Sequence, residues 1–81
     1  MPTAETVVNT AAEAAEGVIF SRYRQSTVRD IDITVTFENQ ILDVDIYLNV
    51  PEEASPEADA VIEDAITAAE SAVDDLHAHS E

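Results

Sequence analysis

The 81-residue chain has no cysteine, no lysine, no tryptophan and a single glycine. Without cysteine there is no disulfide framework, no thiolate metal site and no cysteine nucleophile; redox chemistry by the chain itself is excluded, and a reducing interior is the matching compartment. One glycine leaves no Gly-rich phosphate loop. No apolar run is long enough to span a membrane, and the opening Met1-Pro2-Thr3-Ala4-Glu5 has no basic region. Neither a leader nor a membrane anchor is therefore expected. Positive charge is scarce too: three Arg stand against eighteen Asp and Glu, for a formal net charge of −15.

That imbalance speaks first about the solvent. Self-repulsion of this size opposes compaction in dilute buffer, whereas in molar salt the Debye length falls to about 3 Å and distant surface charges hardly interact. The expectation is a halophilic, cytoplasmic protein with an acidic, solvated skin. Acidity also accompanies disorder, but disordered acidic segments are poor in aliphatic residues, and here 46% of residues are hydrophobic and fall on a period. Residues 1–81 read as one folded domain, short enough to have a thin core.

The order of elements is helix, strand, strand, helix. A helix is expected from about residue 4 to 20, with Thr3 as N-cap, Glu5 in its first turn and Val8, Ala11, Ala12, Ala15 and Ile19 on its buried stripe. Gly17 inside it marks either a close approach to a sheet or early fraying. Strands are expected over about 29–37 and 41–50, because Ile31, Ile33, Val35 and Phe37, then Leu42, Val44, Ile46, Leu48 and Val50, alternate with polar residues. A two-residue turn at Asn39-Gln40 pairs Phe37 with Leu42, Val35 with Val44 and Ile33 with Ile46, placing every apolar side chain on one face. A second helix is expected over about 56–76, capped by Ser55 with Pro56 at its first position, and burying Ala58, Val61, Ile62, Ala65, Ala69, Ala72, Val73 and Leu76. Asp74 and Asp75 oppose the dipole at its end, so residues 77–81 are expected to fray.

The fold class is thus a two-layer α+β domain, α-β-β-α, with both helices on one face of an antiparallel hairpin. A two-stranded sheet is marginal by itself and has two open edges. Edge-to-edge homodimerisation into a four-stranded sheet is the expected remedy.

Three groups of residues compete for a functional role. Arg22, Arg24 and Arg29, with Tyr23 among them, hold every positive side chain of the chain within eight positions. One account has them paired with neighbouring acids, Arg22 with Glu16 and Arg29 with Asp30; the other makes them a contact for phosphate or an acidic partner, with Tyr23 stacking on a base. Three Arg neutralise too few phosphates to hold nucleic acid in molar salt by charge, so RNA is the weaker partner. Asp32, Asp43 and Asp45 share the polar strand face with Thr34, Thr36 and Tyr47, but no acid is set opposite another, as on a solvated face. His77 and His79 form a His-x-His tail whose side chains point about 200° apart in a helix. No catalytic, cofactor or metal residue is assigned, and no small-molecule substrate is inferred.

At Glu16-Gly17-Val18-Ile19-Phe20-Ser21-Arg22-Tyr23, Asp32 to Phe37 and Asp43 to Asn49 the chain resembles a family of small archaeal proteins of unknown function found in haloarchaea. The resemblance implies a halophilic archaeal source, genes near those of a prefoldin subunit and of translation or transcription components, and an accessory role in protein or RNA maturation. Asn39-Gln40 departs from the glycine expected at the turn. The leading expectation is a non-enzymatic, homodimeric protein-interaction module using Arg22, Tyr23, Arg24 and Arg29 or a strand edge. An RNA-binding accessory factor is the alternative, and a cation-dependent enzyme built on Asp32, Asp43 and Asp45 comes third.

Overall fold

The computed structural model describes residues 3–54 and 57–79. Helix α1 (Ala4–Arg22) leads into strand β1 (Asp30–Glu38), a tight turn, strand β2 (Ile41–Asn49) and helix α2 (Ala58–His79). The Thr3 hydroxyl accepts a hydrogen bond from the Thr6 backbone N–H at 3.1 Å, so the expected N-cap satisfies one of the orphan donors of α1. The expected cap of α2 at Ser55 and Pro56 lies outside the described residues.

The hairpin takes the expected register, with Phe37 opposite Leu42, Val35 opposite Val44 and Ile33 opposite Ile46. Both turn residues have positive φ, 50° at Asn39 and 67° at Gln40. That is the demand of a type I′ turn, whose twist matches the strands. Asn accepts this conformation readily, while Gln40 takes it because a one-residue slip would turn one strand's apolar set to water.

Among the described residues nine are buried: Val7, Ala11, Ala15 and Ile19 of α1, Tyr23 just after it, and Val61, Ala65, Ala69 and Val73 of α2. On each helix they recur every fourth residue, and the two rows of small side chains form a helix-to-helix seam. This corrects the expected stripe of α1. Val7 rather than Val8 is buried, and Val8 and Ala12 are half-buried. On α2, Ala58, Ile62, Ala72 and Leu76 are likewise half-buried. A wheel shows which side of a helix is apolar; the direction of the neighbouring helix decides which part of that side is sealed.

The strands contribute none of the nine. Ile31, Ile33, Val35, Phe37, Leu42, Val44, Ile46 and Leu48 pack against the seam yet are only half-buried. α1 lies on β1 and α2 on β2, so each strand is covered from above and open along its outer edge.

Gly17 matches neither expectation. It is exposed, a Cβ built on it would meet nothing within 4 Å, and α1 continues past it to Arg22. Gly17→Ala should therefore stabilise the domain by about 1 kcal/mol through helix propensity alone, raising Tm by about 4–8 °C. A thermal melt with lowered Tm would show that the site needs glycine for another reason.

Candidate partner-binding surface

The basic segment begins where α1 ends. Arg22 lies in its last turn, where a cation suits the helix dipole, and Tyr23 leaves the helix in an extended conformation. The Tyr23 N–H donates to the Ile19 carbonyl at 3.0 Å. A turn follows, in which the Arg24 carbonyl accepts from the Thr27 N–H at 2.9 Å, and the Arg29 N–H then donates to the Asn49 carbonyl at 2.8 Å. The segment is thus pinned to the fold at both ends. Arg22, Arg24 and Arg29 are all exposed.

Arg22 does not pair with Glu16 as expected from sequence distance; its guanidinium lies 3.1 Å from the Asp64 carboxylate of α2. Both side chains are about half exposed, so the pair is worth at most about 1 kcal/mol and less in salt. Arg24 and Arg29 make no ion pair among the described residues, Asp30 included. Helix packing, which brings α2 against α1, decides the one pairing that forms.

Tyr23 is placed differently from its two neighbours. Its side chain is 5% exposed and belongs to the buried cluster. The ring is therefore core rather than a platform on which a base stacks. Burial, and then the nearby Glu57 carboxylate, push its phenol above the usual value of 10.0. The neutral phenol is the form the fold favours, so this contribution to stability is complete below pH 10 and is lost as the pH rises through the elevated pKa.

On the polar sheet face Asp32 is opposite Tyr47, Thr34 opposite Asp45 and Thr36 opposite Asp43. Asp32, Thr34, Asp45, Ile46 and Tyr47 outline a shallow depression of about 240 Å³. Among the described residues no three His, Cys, Asp or Glu side chains converge as a metal site would require.

The structure assembles one feature that the sequence did not signal. Phe37, Gln40, Leu42, Glu70, Val73, Asp74 and His77 line an open groove of about 470 Å³ at the hairpin end of the molecule. His77 was expected in a frayed tail, but α2 runs on to His79. The His77 Nδ1 lies 3.0 Å from the Val73 carbonyl, and its ring packs 6.1 Å from that of Phe37. The i, i+4 spacing from Val73 to His77 was a local hint; nothing local connects His77 to Phe37, forty residues earlier. Ser80 and Glu81 lie outside the described residues.

Comparison with known proteins places the chain. A family described as a protein of unknown function (DUF3194) matches residues 3–76, which include both strands and the whole basic segment. The chain belongs to the DUF3194 family. An uncharacterised protein of Natronomonas pharaonis, a haloarchaeon, is 57% identical over 75 residues, covering 93% of this chain and 88% of that protein. The DUF3194 fold is similar to that in a crystal structure from Thermococcus onnurineus NA1, with a TM-score of 0.73 at 25% identity, over 86% of this chain and 71% of the other. It is also similar to the solution structure of a hypothetical protein of Methanothermobacter thermautotrophicus, with a TM-score of 0.68 at 25% identity, over 95% and 88% of the two chains. These likenesses agree with the α-β-β-α order and the two-layer α+β class. No helix among the described residues is long and apolar enough to cross a membrane.

Proposed function

We propose that the protein is a non-enzymatic interaction module of a salt-rich cytoplasm. It self-associates, and it meets an acidic partner through Arg22, Arg24 and Arg29. The observation that carries the partner surface is the placement of the basic segment. It holds every Arg of a chain with net charge −15, pinned by backbone hydrogen bonds, and two of the three guanidinium groups have no acidic partner among the described residues. Arg presents a planar fork that binds carboxylate or phosphate bidentately, which adds geometric specificity to the charge. An RNA partner is disfavoured by the buried Tyr23 ring and by the small charge contact of three Arg. The acids of the strand face, each opposite Thr or Tyr, favour a solvated surface over an acid/base pair.

The test is capture by the tagged protein at molar KCl, compared with the Arg22→Ala/Arg24→Ala/Arg29→Ala variant, with circular dichroism confirming that both are folded. A saturable acidic partner is expected to bind at least tenfold less to the variant. Equal recovery by both forms would remove the basic segment from the role, and recovery of RNA lost with the Arg would replace the partner class.

A further inference from the structure

We infer that the open edge of β1 takes an added strand, an extended segment of another protein in which apolar residues alternate with Lys or Arg. This goes beyond the Arg surface proposed above and does not depend on it.

Width is the first observation. Two packed helices have axes about 8–10 Å apart and are each about 10 Å across, so their underside is about 18–20 Å wide, whereas two strands about 4.8 Å apart cover about 10 Å. Here α1 and α2 pack on each other while α1 lies on β1 and α2 on β2. About one strand's width is therefore left under the outer flank of each helix. Beside the gap at β1, the inner residues Ile31, Ile33, Val35 and Phe37 are only half-buried. A second copy cannot fill it. Its own α1 would arrive over a strand about 4.8 Å away, where packed helices need about 8–10 Å. The occupant is a strand that carries no helix above it.

The flank above the gap chooses the edge. On α1, Val8, Ala12, Glu16 and Phe20 each follow a buried residue, about 100° further round the helix. Arg22, which reaches Asp64 of α2, lies about 60° from Ile19 in the opposite sense, so the row from Val8 to Phe20 turns away from α2, over the outer side of β1. Three of these four are apolar and half-buried, and Glu16 is exposed. The matching row of α2 is Ile62, Ile66, Glu70 and Asp74, acidic in its second half. Below it β2 carries Asp43 and Asp45 at its centre, charges that deter pairing, whereas β1 has none from Ile33 to Phe37.

Backbone and charge then define the occupant. In a type I′ turn the first carbonyl accepts from the fourth N–H, which makes Glu38 and Ile41 a hydrogen-bonded pair. The antiparallel alternation that follows leaves the N–H and C=O groups of Ile33 and Val35 pointing outward. An extended segment meets them with its own backbone groups. Its inward side chains lie under Val8, Ala12 and Phe20 and are apolar. Its other side chains stand beside Asp30, Asp32 and Glu38 on the exposed sheet face, where cations make favourable cross-strand pairs.

The test is titration of the protein at molar KCl with an eight-residue peptide of alternating valine and lysine, both ends blocked, with amide exchange followed residue by residue. Expected are saturable one-to-one binding and exchange at Ile33 and Val35 slowed at least tenfold, with the outward amides of Leu42 and Val44 unchanged. A peptide of alternating valine and aspartate should bind at least tenfold more weakly. The Arg22→Ala/Arg24→Ala/Arg29→Ala variant should bind the lysine peptide as well as the unmodified chain does, so the result stands apart from the fate of the Arg surface. Absence of saturable binding overturns the inference, and so does binding that slows no amide of β1, which would be attachment to the acidic face by charge alone. Slowing at Leu42 and Val44 in place of Ile33 and Val35 overturns the choice of edge, and equal binding of the aspartate peptide overturns the chemistry of the occupant.

Discussion

Dilution from 1 M to 0.01 M KCl is expected to lower Tm by about 20 °C or more, or to leave the protein unfolded at 25 °C. The Debye length grows from about 3 Å to about 30 Å over that range. At the higher salt only adjacent charges sense one another; at the lower, most of a molecule 44 × 19 × 18 Å across lies within one screening length. Two unscreened like charges 10 Å apart in water cost about 0.4 kcal/mol, and a net charge of −15 makes many such pairs. The folded state holds these charges closer than the unfolded chain does, so the cost falls on folding. Against it stands a core of nine residues, four of them Ala, in a domain whose whole stability is about 4–12 kcal/mol. One half-exposed ion pair, Arg22 to Asp64, does nothing to reverse the balance. Melts followed by circular dichroism across a KCl series decide the matter. A Tm that moves by less than about 5 °C would mean that the acidic surface is not coupled to folding.

The second large effect concerns Ile19. Ile19→Ala is expected to cost about 3 kcal/mol or more, read from urea titration at molar KCl, with Tm lowered by about 12–24 °C. Ile19 is fully buried and heads the largest sealed side chains, ahead of Val7 and Val61. The row it belongs to continues through Ala15 and Ala11, which have no spare carbon atoms to swing into a cavity. The backbone of α1 and the Ala65 and Ala69 row of α2 limit how far the seam can close. Val18→Ala, one residue earlier but half-buried, is the control and should cost clearly less. A cost below about 1 kcal/mol for Ile19→Ala would show that the seam collapses freely and is not what holds the two helices together.

The strands were the most legible part of this chain. Their side-chain period is two, so a single pattern of Ile, Val, Leu and Phe against Asp and Thr set strand identity, inner face and register together, and the pairing of Val35 with Val44 follows from it. The cap at Thr3 was readable because its partner, Thr6, lies three residues away. Helix ends and sealed faces were less so. Asp74 and Asp75 correctly mark an unfavourable dipole interaction, but a local rule does not count the half-buried Leu76 or the contact of His77 with Phe37, and α2 therefore extends to His79. Gly17 looked meaningful because it is the one glycine, whereas the fold leaves open space around it.

The basic segment divides along the same line. Its concentration of Arg is a property of the sequence, and the exposure of Arg24 and Arg29 follows from a loop that must cross the surface, while Arg22 is exposed on the last turn of α1. The burial of Tyr23 and the partner of Arg22 do not. Both depend on where α2, more than thirty residues later, comes to rest against α1, and the same docking forms the groove at Phe37 and His77. By itself, then, the sequence determined the charge, the order of elements and the hairpin with its register, because each depends on neighbours a few positions apart. Only the tertiary structure decided which apolar residues are sealed, which Arg is paired and where α2 ends, because those depend on contacts between segments that chain connectivity leaves free to pack in more than one way.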